Sequence, residues 1–347
     1  MALKRYWLLA AFILVLAGPL ILRPKKSLPT ATSGGAEPTL VIISPHNEAI
    51  RYDFARAFDD YYFAKHGQHV HVDWRTPGGT SEISRYITSE YIAAFENYWK
   101  NQLHRTESPT GFDNPKTPQD NSPATQARKE FLASNVGCGI DLFFGGGSFD
   151  FIQPAEAGRL VDSGVIAAHP ELFNSKTIPQ TTGGEPYWDP QGRWIGACLS
   201  SFGICYNTDL LRLLKIDNAP SQWADLADPR YFGEIALADP NQSGSVGKAF
   251  EMLIQQQMLE AKSPAEGWAR AMRLIMKISA NSRYFTDAAT KIPFDVEEGN
   301  AAAGMCIDFY GRFQSEFVRR PDGTSRMQYV TPAGGSSFGV DPIGMLR

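Results

Sequence analysis

Glycine and hydroxyl residues recur at three places where an apolar, β-type run gives way to helical spacing: Gly79-Thr80-Ser81, Gly145-Gly146-Gly147 and Ser243-Gly244-Ser245. The first N–H groups of a helix lack intrahelical acceptors, and the helix dipole adds partial positive charge there. Such a terminus holds an anion or a polar group well. Glycine lets the backbone approach a ligand closely. Ser and Thr also cap many helices that bind nothing, so what favours a ligand site is the repetition after three separate strands. His46 and Glu48, in the stretch SPHNE, stand just past the first strand. Ligands of parallel α/β sheets gather at strand C-termini.

Enzyme signatures are weak. SGSVGK resembles a phosphate loop superficially, but neither Ser nor Thr follows Lys248. No nucleophile–base pair stands out, so no turnover and no cofactor are expected. His66, His69 and His71 cluster around a glycine turn and a strand. They read as a solvated strand edge or as a surface metal site, the former favoured because no further ligand type lies nearby. The cysteines are Cys138, Cys198, Cys205 and Cys306. They are too few for a disulfide scaffold and contain no CxxC, which leaves four buried thiols or a single bridge.

The elements that must position these loops follow from periodicity. Leu40–Ile43 is a short β-branched run, and Ile50, Phe54, Ala57, Phe58 and Tyr61 then follow helical spacing. Val70, Val72 and Trp74 alternate as a strand, and a helix with Ile83, Tyr86 and Ile87 inside comes next. This β-loop-α-β-loop-α opening predicts an α/β fold with a parallel sheet covered by helices. Residues 108–123 hold four prolines and no apolar period, which predicts a surface loop. Strands are expected at 140–144, 195–206, 235–238, 301–307 and 328–330, and helices after Asn207, from about Gly244 and around Trp268–Met276.

At the N-terminus, Lys4 and Arg5 precede an uncharged run from Tyr6 to Leu22. That pattern is an export signal, cleaved or kept as an anchor. Residues 27–38, rich in Pro, Gly, Ser and Thr, predict a flexible tether. Residues 1–26 hold five of the 33 basic residues and none of the 37 acidic ones, so without them the formal charge moves from −4 to −9. No long basic patch remains, which argues against nucleic acid as a partner.

The segments LVIISPHNEAIRYDFARAF, VDWRTPGGTSEISRYI, IDLFFGGGSFDF, WIGACLSSFGICYNTDLL and SQWADLADPRYFGEIALADPNQSGSVGKAF, in this order and spacing, resemble the extracellular solute-binding family of ABC importers. That family includes periplasmic ferric-iron, thiamine, phosphonate and sugar-phosphate binders. The resemblance implies two α/β lobes joined by hinge strands, the two-lobe periplasmic-binding-protein fold. Lobe one would hold 39–200 and the return segment 307–347, lobe two 206–305, with Cys205 and Cys306 near the crossovers. The family normally continues past a segment such as SFGVDPIGMLR, so the chain reads as truncated. The resemblance further implies a monomeric periplasmic receptor for a small-molecule solute, working with an inner-membrane permease. Iron binders of the family use a Tyr-Tyr pair; here Tyr310 follows Phe309, and glycines stand at 145–147 where a Glu would be placed. An anionic solute on the helix starts is therefore expected. The alternatives are Fe(III), a cation such as thiamine seated by Asp308, Glu48 and aromatics, or an exported enzyme or sensor on this scaffold.

Overall fold

The computed structural model describes residues 37–347; the leader and nearly all of the tether lie outside the described residues. The chain runs β1 (Thr39–Ile43), α1 (Glu48–His66), β2 (His71–Arg75), α2 (Thr80–Asn101), α3 (Pro123–Ala133), β3 (Leu142–Phe144), α4 (Ser148–Ala157), β4 (Leu160–Val161), α5 (Val165–Ala168), β5 (Thr181–Thr182), β6 (Glu185–Pro186) and β7 (Trp194–Asn207). It continues through α6 (Thr208–Leu213), β8 (Ile235–Ala238), α7 (Gly244–Glu260), α8 (Pro264–Ala280), β9 (Ser282–Thr286), α9 (Ile292–Glu298), β10 (Ala303–Ile307), α10 (Asp308–Phe317), β11 (Met327–Val330) and β12 (Phe338–Leu346).

Ten strands join in one mixed sheet, ordered β2-β1-β3-β12-β7-β10-β8-β9, with β4 on β12 and β11 on β7. β1 pairs in parallel with β2 and β3, and β8 with β9 and β10, as the β-loop-α-β pattern predicts. The long strand β7 joins the two sets. Its first part, Trp194–Ser201, pairs with β12, and its second, from Phe202 onward, pairs with β10 and β11. The cores divide at the same place. Ile43, Ile83, Tyr91, Phe95, Phe151, Trp194 and Val340 pack in one cluster. Phe202, Ile204, Trp223, Leu253, Met305 and Tyr310 pack in another. α10 and β11 stay with the second cluster, and the chain rejoins the first in β12.

The sequence separates well where the apolar stripe is one-sided. α2 buries Ile83, Ile87, Tyr91, Phe95 and Trp99, a stripe with one residue every four, while Tyr86 falls outside it and is exposed. α1 behaves differently. Asn47 caps it by accepting from the Ile50 N–H, and Gly67, at φ +68°, ends it. Yet none of its residues is buried, and Tyr52, Phe54, Tyr61 and Phe63 face outward. Aromatic residues occur around its whole circumference, so helical spacing alone did not identify a core face. The proline-rich segment 108–123 is not a free loop either: Phe112 is buried with its ring 4.5 Å from that of Phe95, and Asp113 takes the buried Arg159 at 2.5 Å. The four cysteines form no disulfide. Among the described residues no helix is long and apolar enough to cross a membrane.

Asn207 ties the end of β7 to its surroundings. Its Oδ1 accepts from the N–H groups of Asp209 and Leu210, opening α6, and its Nδ2 donates to Val296 O at 2.8 Å. It is 3% exposed. Asn207→Ala leaves these groups without their partner and should cost about 1–3 kcal/mol. Urea unfolding should show a lower midpoint at unchanged slope.

Candidate functional site

The three glycine-hydroxyl loops converge where the two cores face each other. Gly79 precedes α2, Gly147 precedes α4 and Ser243 precedes α7, each in extended backbone, and no side chain of these residues caps its helix. The loops instead satisfy one another. Gly244 donates its N–H to Thr80 Oγ1 at 3.2 Å, across the cleft. The Asp150 carboxylate accepts from the Gly147 N–H at 3.0 Å, with the Thr80 hydroxyl near enough to lower its pKa. Gly79 lies so close to the opposite side that a Cβ there would stand 2.4 Å from Gln242 O and 2.9 Å from Asp287 O.

A second buried chain lies beside the first. His46 Nδ1 and the Tyr310 hydroxyl are 2.9 Å apart, joining the β1 loop to α10. His46 Nε2 stands 2.9 Å from Asp341 Oδ2, at ion-pair distance but without the alignment of a hydrogen bond. The other oxygen of Asp341 accepts from the Gly146 N–H at 2.9 Å. Asp341 lies at a bulge in the β12–β7 ladder, where Ala197 of β7 is the extra residue between the Asp341 and Pro342 pairings. Gly145 is held at φ +100° with the His46 ring against it, and a Cβ there would reach 2.7 Å from Nε2. Burial pushes the Tyr310 phenol well above its ordinary value, and Asp341 adds to this.

These contacts divide the cleft into two spaces. The inner cavity, about 30 Å³, is lined by His46, Gly79, Thr80, Ser243, Tyr310 and Asp341 among others. It has room for about one water molecule. The outer chamber measures about 570 Å³. Ser81, Gly147, Ser148 and Ser245, from the starts of three helices, line it together with Asp150, Phe202, Glu185, Lys248 and Glu251. Enclosure pushes the Asp150 carboxyl up to about 6, against the lowering effect of the Gly147 N–H and the Thr80 hydroxyl.

Of the residues singled out in the sequence, His46, Gly79, Thr80, Ser243 and Tyr310 meet at the inner cavity, Ser81 and Gly147 line the chamber, and Gly146, Gly244 and Ser245 border both. Gly145 backs His46. Glu48 sits exposed in the first turn of α1, away from both spaces. Asp308 accepts from the Ser201 and Phe309 N–H groups and so fixes the crossover in β7 instead of facing the cleft spaces. His69 pairs with Asp59 at 2.9 Å and stacks on Phe63. Sequence reasoning missed Asp150, Glu185 and Asp341 and set Lys248 aside. Asp150 carried a signal, an acidic residue three positions past the helix start. Asp341 carried another, a lone charge inside an apolar run.

Residues 140–345 match the family described as bacterial extracellular solute-binding protein. An uncharacterised Haemophilus influenzae protein is 23% identical over 211 residues, which are 60% of this chain and 53% of that protein. The phosphoglycerate transport regulatory protein PgtC of Salmonella typhimurium is 24% identical over 116 residues, 33% of this chain and 27% of PgtC. The matches thus span about half, and about a quarter, of those relatives. Among solved structures, the periplasmic binding protein AfuA of Actinobacillus pleuropneumoniae, with fructose-6-phosphate bound, superposes with a TM-score of 0.58 at 18% identity, covering 90% of this chain and 75% of AfuA. Iron-bound HitA of Pseudomonas aeruginosa does so at 0.50 and 16% identity, covering 89% and 76%. The fold is the two-lobe α/β fold of these binding proteins.

Two outcomes test this geometry. Asp150 has a folded value raised above the usual carboxylate range, so its favourable contribution is complete below about pH 4 and is lost as pH rises through about 6. Asp150→Asn should therefore be more stable than the parent above pH 6, by about 1–3 kcal/mol. The gain should vanish near pH 4, as read from thermal unfolding across that range. Gly79→Ala should leave the circular dichroism spectrum unchanged but hold the halves apart, seen as a larger radius of gyration in small-angle scattering.

Proposed function

The chain belongs to the bacterial extracellular solute-binding proteins, and from that premise we propose that it is the solute-capturing component of an ABC-type importer, working outside the cytoplasm on a small anionic solute. The observation that carries this is the chamber of about 570 Å³ bordered by the starts of α2, α4 and α7 and by Lys248. Its size falls in the range of about 300–1,000 Å³ typical of small-ligand sites. Helix starts and an ammonium group together suit a phosphate or carboxylate.

We assign residues 39–201 and 338–347 to one lobe and 202–330 to the other, with hinges at Ser201-Phe202 and 331–337. Closure about such strands is the motion that captures solute. His46, Asp341 and Tyr310 act in closure, not in turnover, since the cavity they line holds about one water and no substrate. The receptor works as a monomer that delivers its solute to an inner-membrane permease.

Fe(III) is disfavoured by Tyr310, whose hydroxyl is committed to His46 and whose phenolate is disfavoured by burial. Thiamine is disfavoured because Glu48 and Asp308 do not meet. PgtC is named for phosphoglycerate, and AfuA holds fructose-6-phosphate; these supply the first solutes to try. Titration calorimetry should show binding of fructose 6-phosphate or 3-phosphoglycerate and none of fructose, thiamine or ferric citrate. Binding of thiamine or ferric ion, with every anion silent, would replace this assignment.

A further inference from the structure

The single basic side chain in the chamber lining is already engaged. Lys248, in the first turns of α7, stands 3.6 Å from Glu185 Oε2 and 3.2 Å from Glu251 Oε2. The other oxygen of Glu185 accepts from Ser148 Oγ, the first residue of α4, at 2.5 Å. Glu185 thus places a partly desolvated carboxylate, 19% exposed, between an ammonium group and a hydroxyl at a helix start. These two donors come from opposite halves, α4 from the first and α7 from the second. That is the pair of donors an incoming oxyanion would use.

The element carrying Glu185 has an exposed tip and an anchored base. β5 and β6 pair with each other across a turn of Gly183 and Gly184 at φ +61° and +87°, and just beyond them Tyr187 is held on β7, its O accepting from the Gly196 N–H at 2.8 Å. Thr181 to Gly184 are exposed. An exposed tip on an anchored base shifts at low cost without the whole element coming away. An ion pair at 3.6 Å with partly exposed partners is weak. A solute oxyanion at the same donors gains charge-assisted hydrogen bonds.

We propose that Glu185 is a built-in placeholder for the solute's anionic group: the solute's carboxylate or phosphate displaces it from Lys248 and Ser148, and the β5–β6 hairpin moves aside as it does. The proposal rests on the anion assignment above and deepens it, naming Lys248 as the residue that selects negative charge and Glu185 as its internal competitor. Selection follows, because a neutral solute cannot repay the separation of Glu185 from Lys248. With Asp150, Glu185 and Glu251 around the chamber and one ammonium group among them, an anion is admitted only by exchange.

Calorimetry on the parent, Glu185→Gln, Lys248→Met and the double variant tests this, with 3-phosphoglycerate, glycerol 3-phosphate and glycerate as probes. Glycerol 3-phosphate carries only a phosphate and glycerate only a carboxylate, so the probe that binds identifies the group. Glu185→Gln should tighten binding by roughly threefold to tenfold, and Lys248→Met should weaken it tenfold or more, the loss expected for a hydrogen bond to a charged group. In the Lys248→Met background the gain from Glu185→Gln should shrink, since the two act through one contact. Weaker or unchanged binding in Glu185→Gln overturns the placeholder, and unchanged binding in Lys248→Met overturns the selector. If the parent binds anions and both variants match it, the displacement idea fails while the anion assignment stands. If parent and variants alike bind none of the three, and fructose 6-phosphate is silent as well, the anion assignment itself fails and takes this proposal with it.

Discussion

Backbone N–H groups in the cleft must find acceptors, and much of the site's arrangement follows from that requirement. A buried amide without a partner costs about 1–3 kcal/mol. The Gly146, Gly147 and Gly244 amides are met by Asp341, Asp150 and Thr80. Of these three only the last crosses between the halves, alongside the His46–Tyr310 contact and the Lys248–Glu185 ion pair. Two carboxylates are enclosed as a result. One of them, Asp150, is kept near its protonation point by that enclosure. On the proposed assignment, a solute meets a site whose donors are largely spoken for, and its recognition is an exchange of partners.

What could be read from the sequence was what depends on local periodicity. The strands at 40–43 and 235–238 and the α2 stripe from Ile83 to Ile87 are one-sided or fully apolar runs, and they lie where their spacing puts them. The three helix-start loops were found for the same reason, since a strand, a glycine and a hydroxyl sit within a few residues. β12 was not visible. Pro342 within an apolar run argues against a central strand, yet β12 lies between β3 and β7, with Pro342 beside a bulge at Ala197 of β7. His46 and Tyr310 were each noticed, but their contact joins residues 264 positions apart and has no local signature. Asp308 and Glu48 were chosen for charge near a strand end. Charge alone does not distinguish a ligand contact from a clasp on the crossover or a solvated first turn.

α1 shows the same limit from the other side. Its aromatics satisfy helical spacing, yet Tyr52, Phe54, Tyr61 and Phe63 remain exposed. Spacing records which residues share a face. It does not record whether another element covers that face. For α2 the neighbouring α4 and the 108–123 segment supply the cover, through Phe151 and Phe112.

β7 crosses from one core to the other as a single unbroken strand, and the second crossing, at 331–337, is stapled to it. Ser336 Oγ accepts from the Phe202 N–H at 2.9 Å and donates to Phe202 O at 2.7 Å, while Asp308 holds the adjacent Ser201 N–H. Such a joint acts like a torsion spring and not like a slack tether. An extended strand resists stretching and shear but yields to small changes of twist spread over several residues. If 39–201 and 202–330 move as the proposed lobes, twist in these strands is the coordinate along which solute would enter and leave.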